Sequence, residues 1–200
     1  MSHMSTANAG PAITVVILAF NETLHLRRAI ESAQALTNSI VVVDSFSTDD
    51  TVAIAKSCGA IVLERAWENN HSIQFNWAIE QLEQDPRWNA EWIFRLDADE
   101  IITPQLCNEI LQALVKTKAE VVGFDCQRSM VFMDHLLQYG GMSQNRILRL
   151  YRRGHGYSES RWMDEHIVID GLCGHLSGAI IDENLNSLTW WTAKHNTYAS

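Results

Sequence analysis

The amino-acid sequence predicts an α/β protein: a mostly parallel central sheet flanked by helices, with antiparallel strands added in the second half of the chain. Three observations lead there. From residue 13 to residue 116, apolar β-branched runs alternate with segments of helical spacing, the pattern of parallel strands joined by crossover helices. After Glu120 the alternation stops, and strand-like runs follow without regular helices between them. With 46% hydrophobic and 20% charged residues in a chain of 200, one ordinary core can be buried and disorder is excluded.

Residues 13–20 (ITVVILAF) are apolar throughout, as in a strand buried on both faces. Asn21-Glu22 closes that run. Leu26, Ala29, Ile30 and Ala33 then place an amphipathic helix at about 22–35. Residues 39–44 form a second strand and 45–49 a polar turn. Ser47 and Asp50 have capping-box spacing for a helix carrying Val52, Ala53 and Ala55, with Gly59 at its end. Residues 60–64 make a third strand. Ile73, Trp77, Ala78 and Leu82 mark a helix over 70–82, stopped by Asp85-Pro86. The run Trp92 to Leu96 reads as a short buried strand ending in Asp97, Asp99 and Glu100. Thr103 followed by Pro104 is an N-cap with proline at the first helical position, opening a helix to Lys116. Residues 121–126 and 147–151 are further strands. Between them Met130, Phe132, Met133, Leu136, Leu137 and Gly140-Gly141 are expected to build the floor or lid of a cleft.

A net charge of −9 argues against wrapping nucleic acid. An acidic chain that handles an anionic substrate needs a metal or local arginines. Cys58, Cys107, Cys126 and Cys173 contain no C-x-x-C pair, which suggests reduced thiols and a cytoplasmic setting. No run is long enough to cross a bilayer and no signal peptide is visible. Residues 1–4 (MSHM) read as cloning residue, 1–12 lie outside the fold, 13–182 form one domain, and 183–200 are an extension. Leu185, Leu188, Trp190 and Trp191 form an apolar cluster there. The natural protein is expected to continue beyond it, with this cluster packed on the missing part, another subunit or the inner face of a membrane.

Side chains alternate faces along a strand, so Asp97 and Asp99 are expected to point the same way while Ala98 turns aside. Two hard oxygen donors suit Mg²⁺ or Mn²⁺ with positions left open for phosphate oxygens. Asn21-Glu22, Asp44 and Asp97/Asp99 should share one rim at the C-terminal strand ends, where open α/β sheets place ligands. Strand-end acids of this kind suit a sugar nucleotide. G-x-G-x-x-G and G-x-x-x-x-G-K-[ST] are both missing, which argues against dinucleotide dehydrogenases and P-loop NTPases. Arg146, Arg149, Arg152 and Arg153 either meet phosphate or line a solvated strand edge. His166, His175 and His195 are each a metal-ligand candidate with a structural role as the simpler reading. Packing is the simpler role for Trp190 and Trp191.

The ordered set Ala19-Phe20-Asn21-Glu22, Val43-Asp44-Ser45-Phe46-Ser47-Thr48-Asp49 and Leu96-Asp97-Ala98-Asp99-Glu100 resembles family 2 glycosyltransferases of the GT-A fold. The likeness runs from about Ile13 to Gly174. Within the family the chain is similar to lipopolysaccharide-core and other cell-surface polysaccharide transferases, which carry a motif resembling Trp162-Met163-Asp164-Glu165-His166 downstream. The resemblance implies inverting, metal-assisted transfer from a nucleotide sugar, usually a UDP sugar, to a hydroxyl of a glycan or lipid-linked saccharide. It implies that Phe20, Asn21 and Glu22 line the base pocket and that Asp44 with Ser45 holds uracil or ribose. Asp97 would contact ribose or the metal shell, and Asp99 would bind Mn²⁺ or Mg²⁺. The base falls on Asp164 or Glu165. Glu165 is preferred, since a longer carboxylate beside Trp162 and Met163 reaches further and is partly desolvated. A nucleotidyltransferase, or a non-catalytic nucleotide-sugar or glycan-binding module, is the alternative.

Overall fold

A computed structural model of the chain describes residues 12–139, 145–160 and 166–198. Its site-bearing half is a set of parallel strands in the order β3-β2-β1-β4. These are β1 (Ile13–Ala19), β2 (Ile40–Asp44), β3 (Ile61–Glu64) and β4 (Trp92–Asp97). The joining helices are α1 (Leu26–Gln34), α2 (Thr51–Ser57) and α3 (His71–Gln84). Val15, Ile17, Val42 and Leu96 pack toward Leu26 and Ile30 of α1, whereas Val16, Val41, Val43 and Ile93 pack toward Phe75 and Ala78 of α3. Both faces are therefore dry, which is why these strands are apolar without alternation.

Register aligns the strand ends. Ala19 pairs with Asp44, Leu18 with Asp97, and Asp44 with Glu64. The ends of β1, β2 and β4 are level, as a common rim requires, with Asp99 beyond β4 in the turn that follows.

The chain leaves β4 through a turn at Ala98-Asp99 and enters β5 (Glu100–Ile102), followed by α4 (Pro104–Lys116). The second half adds β6 (Val121–Phe132), β7 (His135–Leu136), β8 (Asn145–Arg152) and β11 (Leu172–Glu183) to the same sheet. Among the described residues the order is β3-β2-β1-β4-β8-β6-β11-β5, with β7 beside β6. β8 runs antiparallel to β4 and β6, β11 runs parallel to β6, and β5 closes antiparallel on β11. A separate hairpin-like pair joins β9 (Gly156–Ser158) to β10 (Ile167–Ile169). α5 (Leu188–Tyr198) follows. Among the described residues no helix is long and apolar enough to cross a membrane.

Several helix signals hold. Asn70 accepts from the Ile73 N–H at 3.0 Å, Thr103 accepts from that of Leu106 at 3.3 Å, and Gly59 takes φ +81° past α2. Others differ. α1 starts at Leu26 and not near Glu22, because the Glu22 carbonyl first accepts from His25 and Leu26 in a tight turn. The Ser47–Asp50 capping box does not form: Ser47 donates instead to Asp44 at 2.5 Å, and Thr51 N–H donates to Asp49 at 3.0 Å. Met130 to Leu136 of the stretch read as floor or lid are the extended end of β6 and β7, joined by Met133-Asp134, both at positive φ as in a type I′ hairpin, while Gly140-Gly141 lie outside the described residues. The boundary expected at 182 falls inside β11. In α5 Trp191 meets Phe132 with ring centroids 5.3 Å apart, while Trp190 stays 40% exposed beneath the Lys194 ammonium.

Candidate active site

Two loops meet where β1 and β2 end. Asp44 is fully buried, and its two oxygens accept from the backbone N–H and the hydroxyl of Ser47 at 2.8 and 2.5 Å. Ser47 in turn accepts from the Asn21 N–H at 2.9 Å, and the Asn21 side chain accepts from the Thr48 N–H at 2.9 Å. Asn21 and Phe46 hold left-handed φ of 55° and 60°, a conformation that persists only where surrounding bonds enforce it. Asp49 accepts from the Thr23 N–H and hydroxyl and from both groups of Thr51, so the loops are stapled together. Those bonds draw its carboxyl below the ordinary range against the opposing effect of burial. Phe20 and Phe46, each 56% exposed, flank this rim. Phe46 was not singled out in the sequence, although its position between Ser45 and Ser47 in the motif could have suggested it.

Glu22 and Ser45 are held from below. Glu22 Oε2 lies 2.6 Å from His25 Nδ1, and His25 Nε2 accepts from the Leu185 N–H at 2.8 Å. That pair of contacts selects the neutral Nδ1–H tautomer and ties the rim to the segment after β11. Ser45 accepts from Gln74 of α3 at 3.2 Å.

The acids of β4 and β5 separate. β4 stops at Asp97, and Asp99 lies in a turn, so strand alternation cannot put them on one side as expected. Asp97 accepts from Arg149 at 2.7 Å and pairs with Arg95 at 3.5 Å. Burial works to raise its carboxyl, but Arg149 and then Arg95 hold it well below the usual range. Glu100, fully buried, accepts from Arg149 at 2.6 Å and from the Asp97 N–H at 3.0 Å, and pairs with Arg128 at 3.6 Å. Burial, aided by the Asp97 charge, pushes it up to about 7. Asp99 is half-buried and accepts from the Asn184 amide at 3.2 Å.

Arg149 is therefore not on a solvated strand edge: it is 7% exposed and bridges two acids. The other arginines of that stretch turn elsewhere. Arg146 bonds Asp125 at 2.8 Å, Arg152 pairs with Glu91, and Arg153 donates to the Leu82 carbonyl at 2.9 Å. His175 also faces Asp125, at 2.8 Å.

Beside Asp97 opens a cavity of ≈ 230 Å³, lined by Arg95, Asp97, Arg128, Arg149, His166 and Ile167 among others. The preferred base pair, Asp164 and Glu165, and the side chain of His195 lie outside the described residues. Of the described residues on either side of that pair, His166 and Ile167 line the cavity. Glu159 N–H donates to the His166 carbonyl at 2.8 Å, and Ser160 accepts from Asn70 at 3.0 Å.

Among the described residues no three His, Cys, Asp or Glu side chains converge as a metal cage. Asp99, whose carboxylate meets a neutral amide and not a guanidinium, fits a hard divalent ion that takes most of its shell from water and substrate phosphate. Asp97 is already engaged by two arginines.

Comparison with known proteins adds the following. The family model described as Glycosyl transferase family 2 matches residues 14–176. The chain is 31% identical over 194 residues to the lipopolysaccharide core biosynthesis glycosyltransferase LpsC of Rhizobium meliloti (strain 1021), covering 86% of this chain and 66% of LpsC. It is 31% identical over 145 residues to the SPbeta prophage-derived glycosyltransferase SunS of Bacillus subtilis (strain 168), covering 71% of this chain and 31% of SunS. The chain thus spans just under two thirds of LpsC and about a third of SunS. Among solved structures, glucosyl-3-phosphoglycerate synthase from Mycobacterium tuberculosis, in complex with Mn²⁺, UDP and glucosyl-3-phosphoglycerate, aligns with a TM-score of 0.44 at 22% identity, over 62% of this chain and 45% of that chain.

Proposed function

The chain belongs to glycosyl transferase family 2, and from that premise we propose that it moves a sugar, with inversion, from a UDP sugar to a hydroxyl of a saccharide acceptor. The observation that carries this reading is the level rim: Asn21-Glu22, Asp44-Ser45 and Asp97 stand at aligned strand ends, and Asp97 also lines the cavity. LpsC is named for lipopolysaccharide core biosynthesis, which supports a glycan or lipid-linked saccharide of the cell envelope as acceptor. Peripheral contact with the inner face of a membrane is part of the same reading, with Trp190 and the exposed Leu185 and Leu188 as the apolar contact.

In this reading Phe20 and Asn21 flank the base, with Glu22 anchoring their loop. Asp44 and Ser45 meet uracil or ribose. Asp97, fixed by Arg149, presents an oriented oxygen to ribose. Asp99 would hold Mn²⁺ or Mg²⁺, with Asp97 at its outer shell; such an ion neutralises charge developing on a diphosphate leaving group. Glu165 takes the proton of the acceptor hydroxyl as its oxygen bonds to the anomeric carbon, an assistance worth about 10²–10⁴ in rate. The diphosphate departs from the opposite face, which inverts that carbon, and Asp164 orients the acceptor.

Three substitutions test this. Asp99→Asn should fold yet lose the part of UDP affinity that depends on Mn²⁺, measured by calorimetry with and without the ion. Glu165→Gln should abolish transfer while UDP-sugar affinity stays near wild type. If Glu165→Gln turns over normally and Asp164→Asn does not, the base is the neighbour; if both remain active, neither residue is the base.

A further inference from the structure

The cavity beside Asp97 presents charge unevenly. Its lining includes three guanidinium groups, of Arg95, Arg128 and Arg149, and one carboxylate, that of Asp97. The other acids that touch these arginines stand outside the lining: Glu100 is completely buried, and the Asp182 side chain, paired with Arg128 at 2.5 Å, is 12% exposed. Acids behind and guanidiniums in front make a preorganised positive wall.

That wall is incompletely satisfied. Arg95 and Arg149 are 4% and 7% exposed. Arg95 is fixed by the Ser158 hydroxyl at 3.2 Å and by the Phe75 ring at 5.4 Å. Even so, the Nε–H groups of Arg95, Arg128 and Arg149 are buried without a hydrogen-bond acceptor among the described residues. Asp97 stands 3.5 Å from the Arg95 Nε, and Glu100 stands 3.6 Å from that of Arg128. Buried guanidinium donors without acceptors are costly, and planar N–H forks match the oxygens of phosphate and carboxylate.

We propose that this cavity is a subsite for an oxyanion, a phosphate or carboxylate carried by the saccharide acceptor; the assignment rests on the glycosyltransferase reading above. The donor diphosphate is the rival source of such a group. The lining argues for the acceptor: Phe20, Asn21, Glu22, Asp44, Ser45 and Asp99 are all absent from it, and Asp97 alone is shared with the rim. The far wall is His166 and Ile167, next in sequence to the proposed base, which the acceptor hydroxyl has to reach. A volume of ≈ 230 Å³, several water volumes at about 30 Å³ each, admits a phosphate with part of a sugar ring.

The test is calorimetric titration of the full chain with inorganic phosphate, with and without saturating UDP and Mg²⁺. The two dissociation constants should agree within about twofold. Glucose 6-phosphate should displace phosphate and glucose should not. Arg128→Gln, with its thermal midpoint taken without phosphate as a check of folding, should weaken phosphate binding at least tenfold. Arg128→Lys, which keeps the charge and loses the fork, serves if the first variant does not fold and should weaken it too. Exclusion of phosphate by UDP would assign the cavity to the donor. Undetectable phosphate binding, or binding unaffected by either substitution, would leave the arginines as counter-ions only. A chain that binds phosphate but not UDP would overturn both the acceptor assignment and the reading beneath it.

Discussion

Two fully buried carboxylates sit at the site, and they are held in opposite ways. Asp44 takes its partners from three residues away, a backbone N–H and a hydroxyl of Ser47. Glu100 takes Arg149 from β8 and Arg128 from β6, strands distant in sequence. The first acid is satisfied by a local turn that forms with its own loop. The second depends on the whole antiparallel half being assembled around it. One folds a loop; the other welds the two halves of the sheet.

The largest expected effect comes from cutting that weld. Arg149→Ala removes the donor shared by Asp97 and Glu100 and leaves buried carboxylates short of their counter-charge. Breaking a buried pair from one side typically costs about 3–5 kcal/mol. Asp44→Ala, which removes local bonds, should cost less, about 1–3 kcal/mol. Urea denaturation of both variants checks the order, and a reversed order would mean that the remote network contributes little.

The same comparison shows what sequence reading reaches. The parallel half was legible because its signals are local: β-branched runs, Asn70 and Thr103-Pro104 as helix starts, Gly59 as a stop. The rim lies in that half, so the parallel α/β arrangement that carries it was legible too. β11 was not foreseen, since Leu172–Glu183 mixes glycines and polar residues and gains its strand character from pairing with β6 and β5. Gly178 is one reason for that composition: a Cβ there would stand 2.5 Å from the Leu106 Cα of α4. In the sequence Glu100 is only the third acid after the Trp92 to Leu96 run, with no role of its own. Nothing local marks it as the buried anchor, because its partners come from other strands.

Acidity offers a second way to separate the two regions. The folded-state pKa of Glu100 is raised from the ordinary 4.5 to about 7, so the folded chain binds that proton more tightly than the unfolded chain. Its contribution is complete below 4.5 and fades as pH rises through about 7. Asp97 has the opposite sign. Its folded-state pKa lies below the ordinary value, so its contribution is present above 3.8 and is lost on acidification. Glu100→Gln, which stays neutral, should flatten the decline in thermal midpoint between pH 5 and pH 7.5 and leave the acid-side loss in place. A wild-type midpoint that rises over that interval, with the variant tracking it, would refute the assignment.

The smallest effect should come from Asp49, the staple of the local region. It is exposed, so Asp49→Asn at neutral pH should change stability within the roughly 0.5 kcal/mol usual for surface positions, or about 1–2 °C in thermal midpoint. The four bonds it accepts nevertheless fix Thr23 against Thr51 and hold the left-handed Asn21 over the end of β2. Thr23 donates to one oxygen and Thr51 to the other, so an amide keeps one acceptor and turns a donor toward the N–H of either Thr23 or Thr51. The loop pair should therefore loosen without the domain melting, and UDP affinity should fall severalfold although Asp49 itself meets no nucleotide. Because the carboxyl titrates below the ordinary 3.8 in the folded chain, the wild type should converge on the variant's behaviour only as pH drops past that value. An Asp49→Asn protein with wild-type UDP affinity and wild-type amide exchange at Asn21 and Thr48 would show that Ser47 and Asp44 suffice to hold the rim.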